Sequence, residues 1–270
     1  MDFSKYKYFY VNGCSHVEGG GLEEPSIRGD SVLPLYEKIY KVSWKNRTEV
    51  NFAARLSKLI GLDFVNQAKC GSGTDRVVRT TYDFIHENWK DRHNFFIILE
   101  NPDPSRSDVY LNDAKDYFIV NSRNDDKFEK IFSASVREYF NNEYRKTDYL
   151  YEDKLKSWFE NHYSFNEKLK SDDRDFVGLY TFCKFHKIKI FVMNKSTLYF
   201  NNTFMTGDVI KFDEEDYDHW MFDINTWCRT KKLTIADELS GLSDDGHPGY
   251  FGHIKYADKL YEFLKNSNDE

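Results

Sequence analysis

The chain has 270 residues, 40% of them hydrophobic and 17% aromatic, and a formal net charge of −7. This is the composition of a packed globule and not of a disordered chain, and its acidic balance, with Lys and Arg scattered, argues against a nucleic-acid partner. No stretch has the apolar length that a bilayer span needs, and the first residues lack the apolar core and small-residue cleavage site of a signal peptide, so the expectation is a soluble, cytoplasmic protein with no membrane partner.

Tyr6 to Val11 is a short aromatic and β-branched run that reads as a buried strand of a parallel sheet. Asn12 and Gly13 form a turn signal that stops it, and Cys14, Ser15 and His16 follow. A serine on the turn leaving a central strand sits at the strand's carboxyl end, where open α/β sheets hold their ligands. The bland alternative for Ser15 is a helix cap. Cys14, Cys70, Cys183 and Cys228 are widely spaced, which favours buried thiols over a zinc site or a disulfide framework.

Residues 18–44 lack periodicity and read as a long loop, with Gly19, Gly20 and Gly21 supplying flexibility and not a P-loop. Helical spacing of Phe52, Leu56, Leu59 and Ile60 predicts a helix over 48–60, capped by Thr48 and ended by Gly61. Asp63 to Ala68 reads as a second strand. A glycine loop around Gly71 and Gly73 then leads into a helix from Asp75 to about Trp89, an arrangement whose loop amides suit an anion. Phe95 to Leu99 is a third, fully apolar strand, and Pro102 and Pro104 fix its exit at Asn101.

Residues 105–175 are highly charged and rich in Tyr, Phe and Asn, and read as a helical insertion with amphipathic stretches near 126–145 and 150–170. A core helix over Phe176 to His186 and a fourth strand over Ile188 to Met193 follow. Residues 194–243 show no clear pattern. A last helix runs from Tyr250 to Leu264, preceded by a loop carrying Asp244, Asp245, His247 and Pro248. Alternating strands and helices give an α/β protein with a mainly parallel sheet. Ser15 near the start, with an Asp and a His near the end, matches the chain order of a serine-hydrolase triad on an α/β scaffold.

Four separated blocks carry a family resemblance. Gly13 to Gly19 resembles the first block of the SGNH (GDSL-like) hydrolases, and Asn66 to Gly73 resembles the second. Leu99, Glu100, Asn101 and Pro102 form a weakened third block, without its usual Gly and following Asp. Asp244 to His247, with Gly252 and His253 behind, resembles the last, Asp-x-x-His. Cys14 stands where the family name has Asp, a replacement shared with SGNH-like proteins of phages, which the chain also resembles. The resemblance spans residues 1–270 as one domain and implies a three-layer α/β/α, flavodoxin-like fold with the 105–175 insertion.

It further implies Ser15 as nucleophile, His247 as base and Asp244, preferred to Asp245, as the acid that orients it. The Ser15 amide, the Gly71 amide and the Asn101 side chain would form the oxyanion hole. No metal or cofactor is implied. The implied activity is an esterase or deacetylase acting on a small-molecule or carbohydrate ester, with O-acetyl on a sugar as first choice because aromatics stack on sugar rings. A scaffold that binds without turnover, or an acyltransferase using the same triad, are the alternatives; fold alone does not choose among them.

Overall fold

The computed structural model describes residues 1–19, 49–69, 71–102, 105–113, 115–122, 128–133, 153–194, 209–211 and 250–267. Five strands, β1 (Tyr8–Asn12), β2 (Asp63–Asn66), β3 (Phe95–Glu100), β7 (Lys189–Asn194) and β8 (Val209–Lys211), form one sheet in the order β2-β1-β3-β7-β8. Every pairing in it is parallel, with Val11 beside both Asn66 and Ile98, and Leu99 beside Val192. Counting only these strands, the order is 2-1-3-4-5, the doubly wound flavodoxin-like arrangement, whose switch point lies between β1 and β3.

The apolar runs form strands buried on two faces because successive side chains alternate. Tyr10, Phe95, Ile97, Leu99, Ile190 and Val192 pack against Val77 and Phe84 of helix α3 (Thr74–Glu87) and Phe176 and Leu179 of α5 (Phe165–Phe185). Phe9, Val11, Phe96, Ile98, Phe191 and Met193 pack on the other side against Phe52 and Leu56 of α2 (Phe52–Ile60) and Ala257, Leu260 and Leu264 of α6 (Tyr250–Asn266). Each such large side chain contributes about 1.5–3 kcal/mol by its burial. The expected α/β/α layering is therefore present, with one hydrophobic layer on each side of the sheet.

Several details differ from expectation. Asn51, not Thr48, caps α2, its side chain accepting the Ala54 N–H at 3.0 Å, while Thr48 lies outside the described residues. Gly61 ends α2 in the left-handed conformation, as its position suggests. Asn12 belongs to β1 and is fully buried instead of starting a solvated turn. The core helix begins at Phe165, eleven residues before the predicted start, because Lys168 and Asp172 on its first half are sequestered and not solvated. The short β8 falls in a stretch where no pattern was legible.

The largest correction concerns the insertion. Instead of being helical throughout, it opens with three antiparallel strands, β4 (Arg106–Leu111), β5 (Asp116–Ser122) and β6 (Phe128–Ser133), in the order β4-β5-β6. Strand β6 occupies the start of the predicted 126–145 helix; residues 134–150 lie outside the described set. The reason is that the burial follows strand patterns. Ser107 and Val109 of β4 are buried in alternation, and the central β5 buries Phe118, Ile119 and Val120 in succession. The predicted 150–170 stretch is helical where described, beginning with α4 (153–162), whose Leu155 and Phe159 pack on Val109, Phe118 and Val120.

Candidate active site

At the carboxyl end of β1 the chain makes its turn on a buried polar anchor. The Asn12 side chain accepts the Gly13 N–H at 2.9 Å and aims its Nδ2 at Tyr10 Oη (2.9 Å), Thr80 Oγ1 (2.8 Å) and the Val77 carbonyl (3.2 Å). Burial pushes the Tyr10 phenol up to about 12, so it stays a neutral member of this network. Gly13 is required by crowding: a Cβ there would lie 2.5 Å from Val17 Cγ2 and 2.7 Å from Glu100 Cβ.

Ser15 opens the four-residue helix α1 (Ser15–Glu18), and Gly19 closes it at φ 100°. The serine is 1% exposed. Its Oγ lies 4.0 Å from Cys14 Sγ. The Cys14 N–H donates to Glu100 Oε2 at 2.9 Å.

The second block is laced to the first by backbone. The Gln67 N–H donates to the Val11 carbonyl at 3.0 Å and the Lys69 N–H to the Gly13 carbonyl at 3.3 Å. Asn66 Nδ2 donates to the Val17 carbonyl at 3.1 Å, tying the end of β2 to α1. Gly71 is buried at φ 81°, a left-handed conformation that favours glycine. Gly73 caps α3 and has no room for a side chain, since a Cβ there would lie 2.3 Å from the Arg106 carbonyl oxygen.

The third block closes the group. Asn101 is buried, its N–H donates to the Met193 carbonyl at 3.1 Å, and its Oδ1 accepts from Thr74 Oγ1 at 3.5 Å. That bond turns the Asn101 Nδ2 away from Thr74. Ser15, Gly71 and Asn101 thus sit on three adjoining loops at the carboxyl edge of β1, β2 and β3, beside the switch point. Asp244, Asp245, His247 and Cys70 lie outside the described residues.

Sequence reasoning missed three participants. Glu100 is buried against the Gly13–Cys14 turn, and the only signal was a charged residue closing an otherwise apolar strand. Thr74 touches Asn101. Behind Thr74, a buried ionic cluster joins Lys168 to Asp172 and, at 3.5 Å, to Asp75. Burial pushes the Asp172 carboxyl up to about 7 against the pull of Lys168, while burial of Lys168 is outweighed by Asp75 and Asp172, which raise it.

His253 has a structural position. It is fully buried, its ring stacks at 6.1 Å on Phe52, and its Nδ1 accepts the Phe52 N–H at 3.2 Å, satisfying an amide at the start of α2. Asn51 at the same helix end donates to the Val17 carbonyl at 3.3 Å. The beginnings of α6 and α2 therefore adjoin the helix that carries Ser15. Among the described residues no three His, Cys, Asp or Glu side chains converge as metal ligands, and no helix is long and apolar enough to cross a membrane.

No protein-family model matches the chain, and no curated protein does. Similar solved structures include EstA, a psychrotrophic esterase from Pseudoalteromonas sp., at 10% identity and TM-score 0.44, covering 96% of this chain and 97% of that one. Another is Est2A, an acetyl xylan esterase from the rumen bacterium Butyrivibrio proteoclasticus, at 12% identity and TM-score 0.42, covering 97% of this chain and 64% of that one. A third is a carbohydrate esterase at 11% identity and TM-score 0.39, covering 97% and 69%. All three scores lie below 0.5, and the assignment to the doubly wound α/β class stands on the strand order itself.

Proposed function

We propose that the protein is a serine ester hydrolase of the SGNH type, with Ser15 as nucleophile, His247 as general base and acid, and Asp244 orienting the imidazole. The observation that supports this reading is that the three blocks follow the adjacent strands β1, β2 and β3, with Lys69 bonded to Gly13 and Cys14 to Glu100. Three sequence blocks that are far apart in the chain are neighbours there. The α6 helix starts three residues after His247, and its His253 accepts from the start of α2, which is itself bonded to α1 through Asn51.

In this scheme Ser15 Oγ attacks the ester carbonyl carbon as His247 takes the hydroxyl proton. The tetrahedral oxyanion receives the Ser15 and Gly71 amides and the Asn101 carboxamide, where loss of one donor typically costs about 3–4 kcal/mol of barrier. Collapse breaks the bond to the alkoxy oxygen, which takes the proton from the imidazolium of His247 and departs as the alcohol. Water, activated by the same histidine, then releases the acyl group from Ser15. The substrate class is a small-molecule or carbohydrate ester, with O-acetyl groups first among them. An alcohol in place of that water would make the protein an acyltransferase.

The test is hydrolysis of p-nitrophenyl acetate and butyrate, together with fluorophosphonate labelling, in wild type, Ser15→Ala and His247→Ala. Folding is checked by circular dichroism. Turnover should fall at least about a thousandfold in each variant, with label recovered on Ser15 of the wild type alone. The low exposure of Ser15 and Pro102 in the third block favour a second reading, a scaffold that binds without turnover. A folded wild type that neither hydrolyses nor labels decides for it.

A further inference from the structure

Glu100 is the last residue of β3, all six of whose residues are buried, and is itself 5% exposed. A carboxyl group in such a place is costly unless polar partners compensate it. One of these partners is the Cys14 N–H, 2.9 Å from Oε2. The Glu100 side chain lies directly over Gly13, where the missing Cβ makes room for it.

We propose that Glu100 is the positioning residue of the nucleophile turn: by accepting the Cys14 N–H it fixes the Gly13–Cys14 peptide, and through Cys14 the next peptide, whose N–H is the Ser15 oxyanion donor. This rests on the esterase reading and deepens it. Cys14 caps α1 without any side-chain capping bond, so the turn is held through its backbone. The Cys14 carbonyl accepts from the Val17 and Glu18 N–H groups at 3.2 and 3.1 Å and therefore points into α1. In a trans peptide the N–H points opposite to the C=O, so the Ser15 N–H is directed out of the helix start. Glu100 clamps the other side of Cys14.

The same residue links both halves of the oxyanion site. Its side chain holds the turn that presents the Ser15 amide, and its backbone leads directly into Asn101, anchored to the Met193 carbonyl. A shift at Glu100 would move both donors together. The acceptor oxygen is what matters, and a neutral carboxamide of the same shape would serve as well.

Two variants separate acceptor from bulk. Glu100→Gln keeps an acceptor, and Glu100→Leu fills the space without one. Amide hydrogen exchange at Cys14, read by NMR, reports the bond regardless of turnover, and exchange at Ile98 reports the integrity of β3. The Cys14 amide should stay protected in wild type and Glu100→Gln and exchange about tenfold faster or more in Glu100→Leu, with Ile98 unchanged. Fluorophosphonate labelling and kcat should fall by about the same factor in Glu100→Leu, with KM held, and stay within about threefold of wild type in Glu100→Gln.

Cys14 exchange in Glu100→Leu equal to wild type, or fast exchange or lost labelling in Glu100→Gln, overturns the proposal. Should Glu100→Leu not fold, the Glu100→Gln result still decides. A wild type that does not label sinks the esterase reading, while Cys14 exchange continues to test the clamp by itself.

Discussion

Gly13 is the residue on which the site geometry turns most sharply. It has no special backbone angle; what requires glycine is the approach of Val17 and Glu100 to within 2.5–2.7 Å of where a Cβ would stand. Gly13→Ala should destabilise the fold by about 1–3 kcal/mol, the usual range for overpacking. It should also lift Glu100 off the Cys14 amide, so the Ser15 labelling rate falls more than the stability loss explains; urea unfolding and a labelling time course on one preparation check both. Gly13, Ser15 and Gly71 were legible in the sequence because tight-turn chemistry is local. Glu100 and Asn12 were not, since a polar residue at a strand's end reads as the chain leaving for solvent. Only the neighbouring loop and α3 turn each into a buried partner.

At the scale of elements, the small antiparallel sheet is fastened to α3 through polar groups more than through its own core. The Asp108 N–H donates to Asp75 Oδ2 at 2.8 Å, and the Arg79 guanidinium meets Asp108 Oδ2 at 2.6 Å while lying 3.7 Å above the Tyr117 ring. The Asp108 side chain is 1% exposed, against 32% for Arg79. Arg79→Ala strands that carboxyl, and a urea titration should show a loss of roughly 2–3 kcal/mol. This is less than the roughly 3–5 kcal/mol typical of fully buried pairs because Arg79 is partly solvated. Arg79→Lys should restore only part, because lysine has no planar fork to stack on Tyr117. The expectation of helices here failed because charged residues between aromatics mimic an amphipathic helix. Ser107 and Val109, buried in alternation, and Phe118, Ile119 and Val120, buried in succession, show that the deciding pattern was an alternating strand beside a central one. The central-sheet strands were legible for the opposite reason, since Phe95 to Leu99 is apolar on both faces and fits nothing but an interior strand.

For the whole molecule, the buried carboxyls set how stability depends on pH. Burial pushes Asp108 up to about 6 and Asp172 up to about 7, and raises Asp173 and Asp175 as well. A carboxyl whose folded-state value is raised binds more protons folded than unfolded. Its stabilisation is therefore present below about pH 4 and lost as pH rises through its folded value. These groups should make Tm fall between about pH 4 and pH 7, and Asp172→Asn should flatten much of that slope; melts at unit pH intervals measure it. The order 2-1-3-4-5 was foreseen only through the family resemblance, which implied a flavodoxin-like fold, because no local pattern records which strand a crossing chain will pair with.

The strand order also has a consequence for the chain as it is made. Strands β1, β2 and β3 can pair as soon as residue 100 is available, so the turn with Ser15, the loop with Gly71 and the start of the Asn101 loop can assemble before the insertion is made. The far edge of β3, apolar on both faces, then waits for β7, which is translated only after the whole insertion. An open apolar edge is a template for pairing with other chains. The nascent protein therefore passes through an interval of sticky, half-finished sheet that ends when residues 189–194 arrive, and a ribosome pausing within the insertion would lengthen it.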